Sequence, residues 1–581
     1  MPRRVAITIA GAVSLGSYEA GVLYEVLEAL RRHNTAAETE DEKIYIDVIT
    51  GASAGGMTAA MAAQRLLYDP ASLSDPLNNV FYQAWVARID LRSLVKMKRK
   101  ESIWHSLFSS DLIESLGREF LIEPLLERKR SGGKITDVHP AIELKRDAQG
   151  NPLRDPDGNL IPEPLWLGLA LTNLDGLSYG YPILQDRAEQ FQYTRCVDQM
   201  TRNVAVTPAQ AVELWGPLLD AAVASGAFPF AFRPKDIERQ RNEYRDDNIE
   251  GWPAKSKEDK KFTYTDGGVL QNQPIGLAKN LIDDHVVPDR LKRQDFTAFN
   301  DADLRLYVFV SPHSMQSEVS TGFTAANANF PRMTDEILRT YTRQAEFHDW
   351  IMAEQLNQQV NKLDIRAQQL ADILTAQPQS LDVAALKTAA TQLATVLSGG
   401  ESERKSRADR LQTQYKKLYG EVSVRGPDVA EAWVNSILTF EAAANLQTRD
   451  RMNILAVTAN GRQELAGAGI ASFAGFFSRK YREHDYTVGR NKARKYLVGR
   501  DVKNILGLTG AELDLTNVPD TSGIGDLPLS VWRILLEGKL ALLSFVGLRI
   551  IRWWPSAAAA GLVLLALIVV FFEVLARHRW W

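Results

Sequence analysis

Apolar and polar positions change rhythm twice along the chain. Up to about residue 320, short apolar runs alternate with helical patterns. Val5–Ile9, Ile44–Thr50, Leu165–Thr172, Phe262–Thr265 and Leu304–Val310 read as strands, and Gly55–Leu67 and Gly276–Leu281 as helices that come after some of them. Strand and helix in alternation predict an α/β sheet with helices on both faces. From about Met333 the pattern is helical: Glu346–Leu374, Ala384–Leu397, Arg404–Tyr419 and Asp428–Leu446 place apolar residues three and four apart among polar ones. Residues 145–163 are rich in Gly, Pro, Asp and Asn and read as a loop, as at a hairpin tip. Residues 233–261 carry both charge signs densely and read as a solvated surface insertion.

The last change of rhythm is at the C-terminal end. Ser556 to Ala576 is apolar on every face, with Glu573 its only charge. As a helix these residues would span ~31 Å, enough for a bilayer core. Trp553 and Trp554 precede the run and Trp580 and Trp581 come after it, where indoles suit the two membrane interfaces. Arg549 and Arg552 on one side match Arg577 and Arg579 on the other, so flanking charge sets no orientation. Leu529 to Ile551 is also apolar but carries Arg533, Glu537, Lys539 and Arg549, and reads as a helix lying in the membrane interface. A second span, paired with the last as a hairpin, is the alternative.

The beginning of the chain is basic and then apolar, as in a signal peptide. Gly11, Gly16, Ser17 and Glu19 interrupt the apolar run, so Val5–Ala10 reads instead as a strand leading into a turn and a helix. With no signal read, the expectation is a membrane protein anchored by its tail, with the large domain in the cytoplasm.

Composition narrows the classes. Lys and Arg number 68 and Asp and Glu 71, a net charge of −3, which excludes a nucleic-acid binder acting through bulk charge. Hydrophobic residues at 45% and charged residues at 24% exclude a mostly disordered chain or a multispan transporter. The lone Cys196 can form neither an internal disulfide nor a cysteine-based zinc cluster, which fits a reducing compartment. No H-E-x-x-H, EF-hand loop or P-loop is present, so no metal and no cofactor are expected.

The strongest chemical signal is Gly51-Ala52-Ser53-Ala54-Gly55, a G-x-S-x-G sequence between a predicted strand and a predicted helix. That is the setting of a nucleophile elbow, in which the serine sits on a cramped turn and the helix N-terminus favours negative charge beside it. Ser53 is the candidate nucleophile and needs a base. His313 is the best-placed histidine, just after a strand, while His139 and His285 lie in polar, loop-like surroundings. Asp266, at a strand end before Gly267 and Gly268, is the better-supported base, taking the serine proton directly. Asp175 and Asp220 are read as structural.

Four segments together resemble the patatin-like phospholipases. They are Gly11–Leu23, the Gly51–Gly56 motif, Ala224–Phe232, and Asp266-Gly267-Gly268 with Asn272 and Pro274. Residues 473–490 resemble the C-terminal region of a bacterial patatin-related subgroup. The resemblance implies a patatin-like sheet sandwiched by helices, and a lipid acyl hydrolase with a Ser53–Asp266 dyad. It also implies an oxyanion hole of backbone N–H groups from Gly11, Ala12, Val13 and Ala54, with Gly16, Gly51, Gly55, Gly267 and Gly268 supporting the motifs. The glycine-rich loop departs from the family: two glycines are replaced, at Ala12 and Val13, and Leu15 stands where a basic residue is usual.

The expected organisation is a patatin-like α/β hydrolytic domain over 1–325, a mainly helical domain over 326–526 and a membrane-associated tail over 527–581. Membrane phospholipid is the expected substrate, acyl transfer to Ser53 the expected reaction, and the lipid bilayer the expected partner of the tail. A homo-oligomer or protein partner would engage the helical region. The altered loop motivates an alternative: a catalytically weak membrane scaffold acting through that region.

Overall fold

The computed structural model describes residues 2–513 apart from short internal stretches, the longest being 183–189, 288–304 and 314–322. The expected membrane helices at 529–551 and 556–576 lie outside the described residues. Among the described residues no helix is long and apolar enough to cross a membrane.

One eight-stranded mixed sheet organises the α/β part. Its strands are β1 (Arg3–Ile9), β2 (Ile44–Gly51), β3 (Trp166–Pro182), β4 (Gln190–Asn203), β5 (Lys235–Arg239), β6 (Lys260–Asp266), β7 (Arg305–Ser311) and β8 (Ile454–Thr458). They lie in the order β5-β6-β3-β2-β1-β7-β8, with β4 also beside β3. The strands from β3 through β8 in that order are parallel, whereas β4 and β6 run antiparallel to β3, and β5 antiparallel to β6. The central strands are continuous apolar runs because both faces are covered. In β1, Val5, Ile7 and Ile9 face one core and Ala6 the other. The first core packs against helices α1 (Gly16–Ala36), α2 (Ala54–Tyr68) and α3 (Pro208–Ser225), and the second against Ile275–Leu281 and Ala353 of helix α4 (Phe330–Ala376).

One charged stretch is partly buried, and one ion pair is buried. The 233–261 segment is not wholly a solvated insertion. It contains the edge strand β5, and Arg239 and Trp252 in it are each only 1% exposed. Arg239 enters the core because Glu243 lies at 2.8 Å and its guanidinium stands over the Tyr244 and Tyr264 rings. Deep in the sheet, Arg305 of β7 grips Asp47 of β2 through two bonds of 2.6 and 2.8 Å.

The range 326–526 divides structurally. Its helices α4, Val383–Ser398, Glu401–Gln414, Lys416–Ser423 and Pro427–Ala443 build a separate core around the buried Trp433 and Ile437. Beyond them the chain returns to the sheet. β8 pairs with β7, and helix α5 (Arg479–Leu497) lies along α1. That helix pair is close because each side offers a glycine. A Cβ on Gly21 would sit 2.0 Å from the Tyr486 carbonyl oxygen, and one on Gly489 2.1 Å from that of Tyr18. Buried Glu25 of α1 then meets Arg490 and Arg494 of α5 at 2.6 and 2.9 Å.

This contact predicts opposite outcomes for two glycine substitutions. Gly21→Ala lowers stability by about 1–3 kcal/mol, because backbone must move apart. Gly420→Ala, exposed in a helix with nothing near its added methyl, raises it by about 0.5–1 kcal/mol. Denaturant midpoints of the purified variants check both.

Candidate active site

The sheet topology brings the two candidate groups together. β4 pairs along one edge of β3, so β2 and β6 share the other. Gly51, the last residue of β2, is opposite Leu169, and Asp266, the last of β6, is opposite Leu171. The two strands therefore point their C-terminal ends at each other from opposite directions, and the turn leaving each strand must meet the other.

The turn leaving β2 holds Ser53, with φ 54° and ψ −128°, a strained conformation for a residue with a side chain. This turn closes only with glycine on both sides. A Cβ on Gly51 would lie 2.3 Å from the Gly55 carbonyl oxygen, and one on Gly55 2.2 Å from that of Ala10. The turn is pinned by its own backbone, with the Ala52 N–H donating to Ile9 and those of Gly56 and Met57 to the Ser53 carbonyl. The Ser53 N–H donates to Ser225 Oγ at 3.0 Å, and Ser225 donates in turn to the Ala170 carbonyl at 2.8 Å.

The Ser53 hydroxyl donates to Asp266 Oδ2 at 2.6 Å. Asp266 is 2% exposed and closely held. Its N–H donates to the Ala227 carbonyl, its own carbonyl accepts from Thr172 Oγ1, and its Oδ1 accepts the Gly268 N–H at 2.6 Å. Burial pushes its carboxyl up to about 7, although the bonds from Ser53 and Gly268 favour the ionised form. Among the described residues, His139 and His285 make ring contacts away from the dyad. His139 is buried and receives the Ala141 N–H, His285 stacks on Trp166 at 3.7 Å, and His313 comes just after β7. Asp175 accepts the Thr263 N–H and Asp220 pairs with Lys235, both structural contacts. Among the described residues no group of three or more His, Cys, Asp or Glu is placed to hold a metal ion.

The loop beside the serine is built differently from its sequence resemblance. A Cβ on Gly11 would sit 3.0 Å from Ser53 Cβ, so the loop borders Ser53. The Gly11 N–H is already given to the Asn272 carbonyl at 3.0 Å, and Gly11 is therefore no oxyanion donor in this arrangement. Ala12 is the N-cap of a single 3₁₀ turn that begins at Val13, and Ala54 begins α2. The N–H groups of Val13 and Ala54 are first-turn donors that no carbonyl of their own helix can reach. Val13 has φ 51° where the resemblance has glycine, and a β-branched side chain there stores about 1–3 kcal/mol of strain. Gly16 opens α1 against the Trp85 indole.

The sequence did not reveal what braces this loop. Ser14 Oγ donates to the Ser472 carbonyl and accepts the Gly475 N–H at 3.1 Å. Leu15, in place of a cation, is 1% exposed and packs against Gly467. Asp485 holds the N–H groups of Ala466 and Gly467 at 2.7 and 2.8 Å, and buried Arg482 holds the Gly475 carbonyl at 2.9 Å. Ser472, Val13 and Ser53 are the three non-glycine residues with left-handed φ among the described residues, and all three belong to this locality.

With this geometry in place, comparison with known families is decisive. Residues 7–279 match the sequence model of the family described as Patatin-like phospholipase. Over that range, just under half of its length, the chain is similar to the patatin-like phospholipases. A search of curated proteins found no match. The match spans Ser53, Asp266 and the glycine-rich loop, and it supports a lipid hydrolase in general terms. It ends before β7, so the strand beside β1 and the whole brace from 466 to 485 lie outside the patatin-like phospholipase match.

Ser225 is a supporting residue that sequence reasoning passed over inside its own motif. Ser225→Ala leaves the buried Ser53 N–H without an acceptor, and stability falls by about 1–3 kcal/mol. Denaturant unfolding measures it, and ester turnover falls in parallel because the elbow is no longer pinned.

Proposed function

We propose that this protein is a phospholipase A-like lipid acyl hydrolase that works through Ser53 and Asp266. The observation that carries the reading is the 2.6 Å hydrogen bond between the two side chains at a strained strand-to-helix turn. Asp266 takes the Ser53 proton as Oγ bonds to the ester carbonyl carbon. Negative charge then grows on the carbonyl oxygen, beside the N–H groups of Val13 and Ala54 and the N-terminus of α2. Collapse breaks the bond to the alcohol, which leaves with the proton from Asp266. A water molecule next gives its proton to Asp266 and attacks the acyl carbon. The Oγ–carbon bond breaks, the fatty acid is released, and the proton returns to Ser53.

The residues beyond the described ones support a place at the membrane. The apolar run 556–576 anchors the chain as a single-pass tail, with 529–551 in the interface and the catalytic domain on the cytoplasmic side. That arrangement keeps the active site at the surface where phospholipid resides. A second reading, a scaffold of weak activity, is favoured by the strained Val13 and by Leu15 at the position of the missing cation.

Ser53→Ala and Asp266→Asn should each cut fatty-acid release from phospholipid vesicles by about ten-thousandfold or more. Unchanged release by folded Ser53→Ala protein eliminates the proposal. Labelling of Ser53 by a fluorophosphonate separates hydrolase from scaffold, since the scaffold reading requires that folded protein stay unlabelled.

The pH dependence has a definite sign. The base must be ionised to accept a proton, and burial lifts Asp266 to about 7. Below that value the carboxyl is protonated and kcat/KM falls about tenfold per pH unit. Above it the rate levels off. An ascending limb centred near the ordinary carboxylate range would mean that Asp266 is not the base.

A further inference from the structure

A group of phenylalanine rings joins two segments that are hydrogen-bonded to the surroundings of Ser53 and Asp266. Phe473 lies between Ser472 and Gly475, both bonded to Ser14 next to the strained Val13. Phe228 comes directly after Ala227, whose carbonyl receives the N–H of Asp266 and the hydroxyl of Thr265. The rings of Phe473 and Phe228 meet edge to face at 5.6 Å. Phe108 extends the group, 6.2 Å from Phe473 and 5.8 Å from Phe232. All four rings are only partly buried, unlike the side chains of the core beneath them. Met57, on the first turn after Ser53, is also partly buried and touches Gly226 at the base of the Phe228 turn.

We propose that Phe108, Phe228, Phe232 and Phe473 receive the acyl chain of the ester cleaved at Ser53, and that Phe473 sets the preference for chain length. The proposal rests on the hydrolase reading above and names the acyl side of its substrate. Three observations support it. The rings belong to one segment bonded to the loop before Ser53 and one bonded to Asp266, and they meet each other, so they offer an acyl group on Ser53 Oγ an aromatic cluster built from both segments. Their open faces are apolar, which matches a hydrocarbon chain and not a headgroup. Ser472, immediately before Phe473, holds a left-handed φ of 67°, and strain of that kind persists where the surrounding structure imposes a required direction. Phe473 also lies outside the patatin-like match, so this wall is an addition of this chain's C-terminal part.

The test uses the full-length protein in detergent micelles with the p-nitrophenyl esters of butyrate and palmitate. Phe473→Ala should lower kcat/KM for palmitate by about tenfold or more relative to butyrate, because the long chain loses an apolar wall that the short one does not reach. Phe473→Leu, which keeps an apolar wall and guards against a folding defect, should fall between wild type and Phe473→Ala. Equal loss on both esters, or no loss on either, overturns the acyl-site proposal and leaves the hydrolase reading intact. If the wild type cleaves neither ester and Ser53 resists a fluorophosphonate, the hydrolase reading itself fails, and this proposal with it.

Discussion

Everything at the site depends on a single hydrogen bond, the one from the Ser53 hydroxyl to the Asp266 carboxylate. It requires two costly conditions at once. The serine must sit in a backbone region that side chains avoid, and the carboxylate must be removed from water. The sheet meets the first condition by anchoring the turn at Ala52, Ser53, Gly56 and Met57. It meets the second by burying Asp266, which raises its proton affinity, while the donors from Ser53 and Gly268 keep the group from becoming an unsatisfied buried charge. A carboxyl raised in this way is a stronger base than an exposed one and can serve without a histidine between it and the serine.

The departure of the glycine-rich loop has a structural counterpart. Ala12 and Val13 stand there where the resemblance has glycine and Leu15 where it has a cation, and residues 466–485 brace the loop. Ser14 and Leu15 are the points of attachment, one by hydrogen bonds and one by packing. Strain at Val13 and Ser472 is held on both sides of that attachment, and packed surroundings of this kind keep a sparsely populated backbone state occupied. The loop and its brace form one unit, although more than four hundred residues separate them in the chain.

The C-terminal part has two roles in the architecture. Its helices around Trp433 form a core of their own, while β8 and α5 complete the sheet and cover α1. The close approach of α5 rests on Gly21 and Gly489, and the ion pairs from Glu25 result from that approach. The phenylalanine cluster depends on the same docking, because Phe473 lies just ahead of α5.

The α/β class, the central strands, the main helices and the elbow at Ser53 were legible in the sequence, because each is written in local periodicity or in a short motif. Asp266 was legible as a strand-end carboxylate, and the order of the four family segments singled it out. Three strands were not: β4 and β5 are polar edge strands without clear alternation, and β8 is a short apolar run within a helical stretch. Nor could local pattern reveal Arg239 in a core, since a charge becomes buried only where partners from elsewhere in the chain surround it. By itself the sequence determined which residues can be a nucleophile, a base and a turn, because those capacities belong to side chains and their neighbours. Only the tertiary structure decided that β2 and β6 meet along one edge of β3, that Gly11 gives its N–H to Asn272, and that Phe473 meets Phe228. Each of those is a long-range contact, and strand register and helix docking are set by what packs against them.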